Sequence, residues 1–336
     1  MSVSACILGC AGPTLTKAEK AFFADVRPWG FILFARNVET PDQVRALTSA
    51  LRETVGRPDA PILIDQEGGR VQRLGPPHWR RYPPGRAYGQ AADARELTRL
   101  GARLMAHDLS ALGINVDCLP VLDVPDPQGH AIIGDRAYSD TADQVAVLGR
   151  AACEGLIAGG VLPVVKHIPG HGRAKADSHL ELPVVDAAWD DLEARDFAPF
   201  KALSDMPMAM TAHVIFSAVD AKRPATTSRK VLRKVVRGTI GFDGLLMSDD
   251  LSMKALRGDV RDRAEDALRA DCDVVLHCNG DMAEMKAVAA GTGALKGHAR
   301  RRAHAALARL PTRVEPFDAA EARARFDAAF EGRFAA

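Results

Sequence analysis

The chain has 336 residues, 47% hydrophobic and 26% charged, with a formal net charge of +1. That composition suits a globular protein with a large buried core and excludes a disordered or fibrous chain. The near-neutral charge and 5% aromatic content give no drive toward nucleic acid or an acidic membrane, and no apolar stretch approaches the ~18 residues of a membrane span.

The first short apolar run is Ala5–Leu8. No basic residue precedes it and it is too short for an export signal, so it predicts a strand of a cytoplasmic protein. Further runs follow at Gly30–Phe34, Pro61–Ile64, Ile114–Leu122, Leu162–Val165, Met208–Thr211, Leu245–Met247 and Asp273–Leu276. Several are continuously apolar, as strands buried on both faces must be. Between them lie segments of helical spacing: Thr16–Asp25, Pro41–Val55, Ala92–Leu112, Asp140–Ala158, Trp189–Leu203, Ser228–Arg237 and Asp259–Ala270. About eight alternations of strand and helix predict an α/β fold closed as one (β/α)8 TIM barrel, with an open doubly wound sheet as the structural alternative. No linker divides the chain, so residues 1–336 read as a single domain. Two further helices, from about residue 281, are expected to pack on the barrel. The Pro- and Arg-rich stretch 75–89 reads as a long loop, and the basic stretch His298–Arg309 as a solvated helix face. Cys6, Cys10, Cys118, Cys153, Cys272 and Cys278 form no CxxC pair and read as reduced, mostly buried thiols.

In a barrel of this kind, the catalytic groups sit at the C-terminal ends of the strands. The unusual polar residues fall there repeatedly. Asp65-Gln66-Glu67-Gly68-Gly69-Arg70-Val71-Gln72-Arg73 follows the third run, Asp123 the fourth, and Lys166-His167-Ile168-Pro169-Gly170-His171-Gly172 the fifth. His213 follows the sixth and Ser248-Asp249-Asp250 the seventh. Charged groups gathered on one axis cost stability unless they serve a site. Asp250 is open between this role and a helix cap. Gly170 and Gly172 supply backbone conformations closed to other residues, and the small-residue bridge after them reads as a mobile loop over the barrel mouth. Asp177 and His179 stand two apart, so an extended backbone puts both on one side. The carboxylate then fixes the imidazole tautomer, an arrangement suited to general acid–base work.

At these residues the sequence resembles glycoside hydrolase family 3, and within it the single-domain cytoplasmic β-N-acetylglucosaminidases. The matching segments are GFILFARN (30–37), IDQEGGRVQR (64–73), Gly134-Asp135-Arg136, VKHIPGHG (165–172), Asp177-Ser178-His179 and SDDLSM (248–253). The resemblance implies a retaining two-step mechanism with Asp249 as nucleophile and His179, oriented by Asp177, as acid and base. A neutral imidazole in place of the usual second carboxylate spares Asp249 a like-charged neighbour. It implies sugar contacts from Asp65, Arg73, Arg136, Lys166 and His167, with Arg70 as a structural partner of Glu67. His171 and His213 either line the pocket or support it. The implied substrate is N-acetylglucosaminyl-1,6-anhydro-N-acetylmuramic acid, with or without its peptide, cleaved by a monomer in cell-wall recycling. No metal or organic cofactor is implied, and no nucleic acid or membrane partner. Three other readings stand beside this one: a metal-dependent barrel hydrolase using the histidines and Asp249, a phosphorylase using phosphate as acceptor, and a non-catalytic sugar-binding protein.

Overall fold

The computed structural model describes residues 2–334. Eight parallel strands close into a barrel: β1 (Ser4–Gly9), β2 (Pro28–Leu33), β3 (Ile62–Ile64), β4 (Val116–Asp117), β5 (Leu162–Ile168), β6 (Met208–Thr211), β7 (Leu245–Asp250) and β8 (Val274–His277). Each strand pairs with its neighbours in sequence, and β1 pairs with β8 to close the ring. The fold is therefore the α/β barrel that the strand–helix alternation requires.

The strands read as solid apolar runs because both faces are buried. Alternate side chains divide between two cores. Ile7, Ile32, Leu63, Val116, Val164, Met208, Met247 and Val274 fill the barrel interior. Cys6, Leu8, Phe31, Ile62, Ile64, Val165 and Leu246 face the outer helices. All six cysteines are free and buried. Among the described residues no helix is long and apolar enough to cross a membrane.

The structure departs from expectation in several places. The run 114–122 pairs regularly only over Val116–Asp117, because Pro120 offers no N–H to a ladder. Its remainder still follows β5: Leu122 N–H donates to the Lys166 carbonyl at 2.6 Å and Lys166 N–H to the Pro120 carbonyl at 3.0 Å. Conversely, β5 and β7 run three residues past their apolar cores, which carries Lys166, His167, Asp249 and Asp250 into the strands themselves. Segment 75–89 is not a loose loop, since Tyr82 and Tyr88 are buried in it and a helical turn spans Gly85–Gly89. Three helices follow β8 rather than two: Met282–Gly291, Gly297–Leu307 and Ala319–Ala329. The last, capped by Asp318, stacks Phe326 and Phe330 on Tyr88 at centroid distances of 6.1 and 5.5 Å. In the basic stretch, Arg302 ties the helix to Asp243 at 2.7 Å and to Asp273 at 3.1 Å.

Candidate active site

Strand parity sets the site. Leu63, Val164 and Met247 point into the barrel, so Asp65, Lys166 and Asp249, each two residues on, emerge on the same side at the strands' C-terminal ends. The β5–β6 register shifts between Lys166 and Ile168. Such an irregularity re-aims a side chain, and His167 lines the same cavity as Lys166. That cavity has a volume of about 290 Å³ and is bounded by Phe34, Asp65, Glu67, Arg73, Arg136, Lys166, His167, His171, Ser178, His179, Asp249 and Asp250, among others. The structure thus brings seven of the eight sequence-derived site residues to one wall-to-wall space, with Asp177 directly behind His179. A larger groove of about 490 Å³ lies near the residues that precede β3 and β4. Its Arg52 and Arg57 are occupied by the carbonyls of Ala60, Pro28 and Trp29, and none of the polar strand-end residues reaches it.

One half of the cavity is a locked charge network. Lys166 Nζ lies 2.8 Å from Asp65 and 2.6 Å from Glu67. Arg136 donates to both oxygens of Glu67 through Nε and Nη2 at 2.8 Å, and Arg73 reaches Asp65 at 3.2 Å while stacking 5.1 Å over Phe34. Burial pushes the Glu67 carboxyl up, but Arg136 and then Lys166 outweigh it and hold the group well below the usual carboxylate range. Asp65 is likewise held low by Lys166 and Arg73 against its burial. Beneath them Asp117 accepts the Gln66 amide at 3.0 Å, and burial raises its carboxyl well above the usual range. Glu67 pairs with Arg136, whereas Arg70 binds Asp135 and the carbonyls of Ala131 and Ile132. The local Arg70–Glu67 pair is therefore corrected: the hairpin of Gln66–Gly68 and Val71–Gln72 points the two side chains at different neighbours.

Breaking a buried ion pair from one side costs about 3–5 kcal/mol. Lys166→Met should therefore lower the unfolding free energy by about that amount at neutral pH, as read from the urea midpoint; a loss under about 1 kcal/mol would show that the arginines suffice. Depressed carboxyls stabilise the fold above their unfolded value of about 4 and lose that contribution as pH falls below it. The deficit of the variant should accordingly shrink in acid.

The other half holds imidazoles. His167 Nδ1 donates to Asp123 at 2.7 Å, and the same carboxylate accepts the His171 amide at 2.7 Å. Burial raises the Asp123 carboxyl, but His167 and His171 bring it below the usual range. Sequence reasoning saw Asp123 only as one strand-end acid, and this buried pair was not assigned. His179 Nδ1 donates to Asp177 at 2.8 Å, and Asp177 also accepts the His179 amide at 2.9 Å. The His179 side chain is 59% exposed and lines the cavity, with Nδ1 engaged by Asp177. Gly170 takes φ +140°, and a side chain on Gly172 would sit 1.9 Å from the Val124 carbonyl oxygen, so the loop can leave β5 only through glycines.

Asp249 differs from every other cavity carboxylate. Its hydrogen bond is to the Asp250 amide, at 2.8 Å, and no cation pairs with it among the described residues. Burial raises its carboxyl, yet His213 and His167, then the Asp250 amide and His179, hold it below the usual range, hence ionised. Asp250 is engaged elsewhere, accepting the amides of Ser252 at 3.1 Å and Cys278 at 3.2 Å; it caps no helix, since the next one, Val260–Arg269, is capped by Asp259. His213 does not line the cavity. Its Nε2 meets the Asp250 carbonyl at 3.0 Å and its Nδ1 the Thr226 hydroxyl at 2.7 Å, so it supports the C-terminal end of β7 from behind.

A barrel mouth whose cavity gathers an unpaired carboxylate, an exposed, carboxylate-bound imidazole and a buried charge network is the site expected of a glycoside hydrolase. Residues 11–312 match the Glycosyl hydrolase family 3 N terminal domain, and the chain belongs to that family. It is 39% identical over 287 residues to a β-hexosaminidase of Pseudomonas aeruginosa, covering 84% of this chain and 85% of that one. A β-hexosaminidase of Methylococcus capsulatus is 42% identical over 274 residues, 80% of each chain. Among solved structures, NagZ from Neisseria gonorrhoeae in complex with N-trifluoroacetyl-D-glucosamine superposes with a TM-score of 0.85 at 32% identity, over 99% of this chain and 97% of that one.

Proposed function

We propose that this β-N-acetylhexosaminidase is a retaining exo-β-N-acetylglucosaminidase. Its substrate is terminal β-linked N-acetylglucosamine on 1,6-anhydro-N-acetylmuramic acid, with or without peptide, and its setting is cytoplasmic cell-wall recycling. In the first step Asp249 attacks the anomeric carbon as the glycosidic bond breaks, and His179 Nε2 gives a proton to the departing oxygen. In the second, His179 Nε2 takes a proton from water, water attacks the same carbon, and the Asp249 ester opens. Asp177 keeps its hydrogen bond to Nδ1 throughout, so only Nε2 exchanges protons. Asp65, Arg73, Lys166 and His167 hold sugar hydroxyls by charge-assisted hydrogen bonds, with Arg136 fixing Glu67 beside them. The observation that carries this reading is the contrast within one cavity: Asp65 and Glu67 are each neutralised by two cations, and Asp249, among the described residues, by none.

The direct test is release of a chromogenic aglycone from an N-acetyl-β-glucosaminide and from the matching β-glucoside. We expect a preference of roughly 10²-fold or more for the former, since a pocket built around polar groups rejects a substrate that leaves them unpaired. Comparable rates would refute the N-acetylglucosamine assignment. Run with and without phosphate, the same assay separates hydrolysis from phosphorolysis, which would yield a sugar 1-phosphate only when phosphate is present. Among the described residues no three His, Cys, Asp or Glu side chains are grouped as ligands for an ion, and the reading expects full activity in EDTA.

A further inference from the structure

The loop that carries His179 is fastened unevenly. Its first half is riveted to the barrel: the Asp126 amide donates to the Gly172 carbonyl at 3.0 Å, the His130 amide to the Ala174 carbonyl at 2.7 Å, and Arg173 to Asp196 at 2.7 Å. From Lys175 to Glu181, Ser178 is the one residue hydrogen-bonded to anything outside the segment, among the described residues. Its hydroxyl lies 3.0 Å from His171 Nε2, and its carbonyl accepts the amide of Ala255, in the loop that follows the Asp249 strand, at 3.3 Å. Ser178 is 3% exposed, whereas its neighbour His179 is open to solvent. The anchor, His171, is also 3% exposed; its amide is held by Asp123 and its ring lies edge-on to His167 at 5.7 Å. Its Nδ1 is buried without a partner. A buried orphan lone pair is tolerated better than an orphan N–H, so the ring proton sits on Nε2 and points at Ser178 Oγ. Burial, with His167 beside it, lowers the His171 pKa to about 4, so the ring is neutral.

We infer that His171 and Ser178 form a clip that sets the Asp177–His179 dyad over Asp249, making both of them positioning residues for the acid–base step. The inference rests on the proposed role of His179. A single neutral hydrogen bond changes the population of the seated loop by up to about tenfold, so the clip can hold the dyad during chemistry and still let go for exchange of the leaving group.

The test uses the full chain with Ser178→Ala, Ser178→Thr, His179→Ala and the double variant Ser178→Ala/His179→Ala, each first shown to be folded by its melting curve. Turnover is measured on a disaccharide with a poor leaving group and on an activated aryl N-acetylglucosaminide. Ser178→Ala should lose several-fold more on the disaccharide than on the kcat/KM of the aryl substrate, azide should restore part of its turnover, and Ser178→Thr should recover most of the loss. The double variant should match His179→Ala alone, because the clip works only through that imidazole. Should His179→Ala depend on the leaving group while Ser178→Ala does not, or should the double variant lose as much again, the clip is overturned and the acid–base reading stands. If His179→Ala itself shows no such dependence, the acid–base reading falls and takes the clip with it.

Discussion

Asp249→Ala should lose turnover by roughly 10⁴-fold or more, with the fold intact. The expectation follows from what Asp249 touches. Its carboxylate is held by one backbone amide and faces the cavity uncompensated. A charge kept in that state contributes nothing to stability, so its removal should leave the melting temperature unchanged or slightly higher. The other acids of the cavity cannot take over: Asp65 and Glu67 are clamped by Lys166, Arg73 and Arg136, and Asp250 is bound to Ser252 and Cys278. Azide, a small nucleophile that fits the vacated space, should partly restore turnover and give the glycosyl azide of inverted, α configuration. A variant within tenfold of the parent enzyme would remove Asp249 from the mechanism.

His179→Ala should separate substrates by leaving group. General acid catalysis contributes typically 10²–10⁴-fold, so the disaccharide should lose about that much. An activated aryl glycoside departs without a proton, so its first step should be nearly unaffected. The second step still needs a base, so the aryl substrate should show a burst followed by slow turnover, and azide, which needs no base, should speed the slow phase. His167→Ala is the informative comparison, because His167 is also bound to a carboxylate, Asp123. That pair is buried and on the proposed reading His167 holds a sugar hydroxyl, so its loss should damage both substrates alike. The reverse pattern, with His167→Ala selective and His179→Ala not, would assign the acid role to the buried pair.

Much of this site is legible in the sequence because strand parity is rigid. Once Leu63, Val164 and Met247 are placed inside the barrel, the direction of Asp65, Lys166 and Asp249 follows two residues later. The Asp177–His179 pair is legible because two residues apart is a local distance, but it meets through a turn, with the Leu180 and Glu181 amides on the Asp177 carbonyl, and not through the extended backbone expected. Other features depend on contacts that no local pattern records. The partner of Glu67 is Arg136, 69 residues away, and the nearer Arg70 is turned aside by the hairpin. The shortening of β4 follows from Pro120, but its continued hydrogen bonding along β5 does not. The third C-terminal helix is an Ala-rich segment whose stability comes from Phe326 and Phe330 meeting Tyr88, more than two hundred residues earlier in the chain. Ser178 stands in the sequence only as the middle residue of the Asp177-Ser178-His179 match; its contact appears only when His171 is seen 3.0 Å from its hydroxyl.

The account stands on a covalent bond forming between one carboxylate and the anomeric carbon. The most direct measurement is peptide mapping by mass spectrometry of the protein quenched during turnover of a slow, fluorinated N-acetylglucosaminyl substrate, with His179→Ala used to prolong the intermediate. A single glycosyl adduct on the peptide containing Asp249, absent from Asp249→Ala, is the predicted result. Steady turnover with no adduct, or an adduct on any other residue, would contradict it.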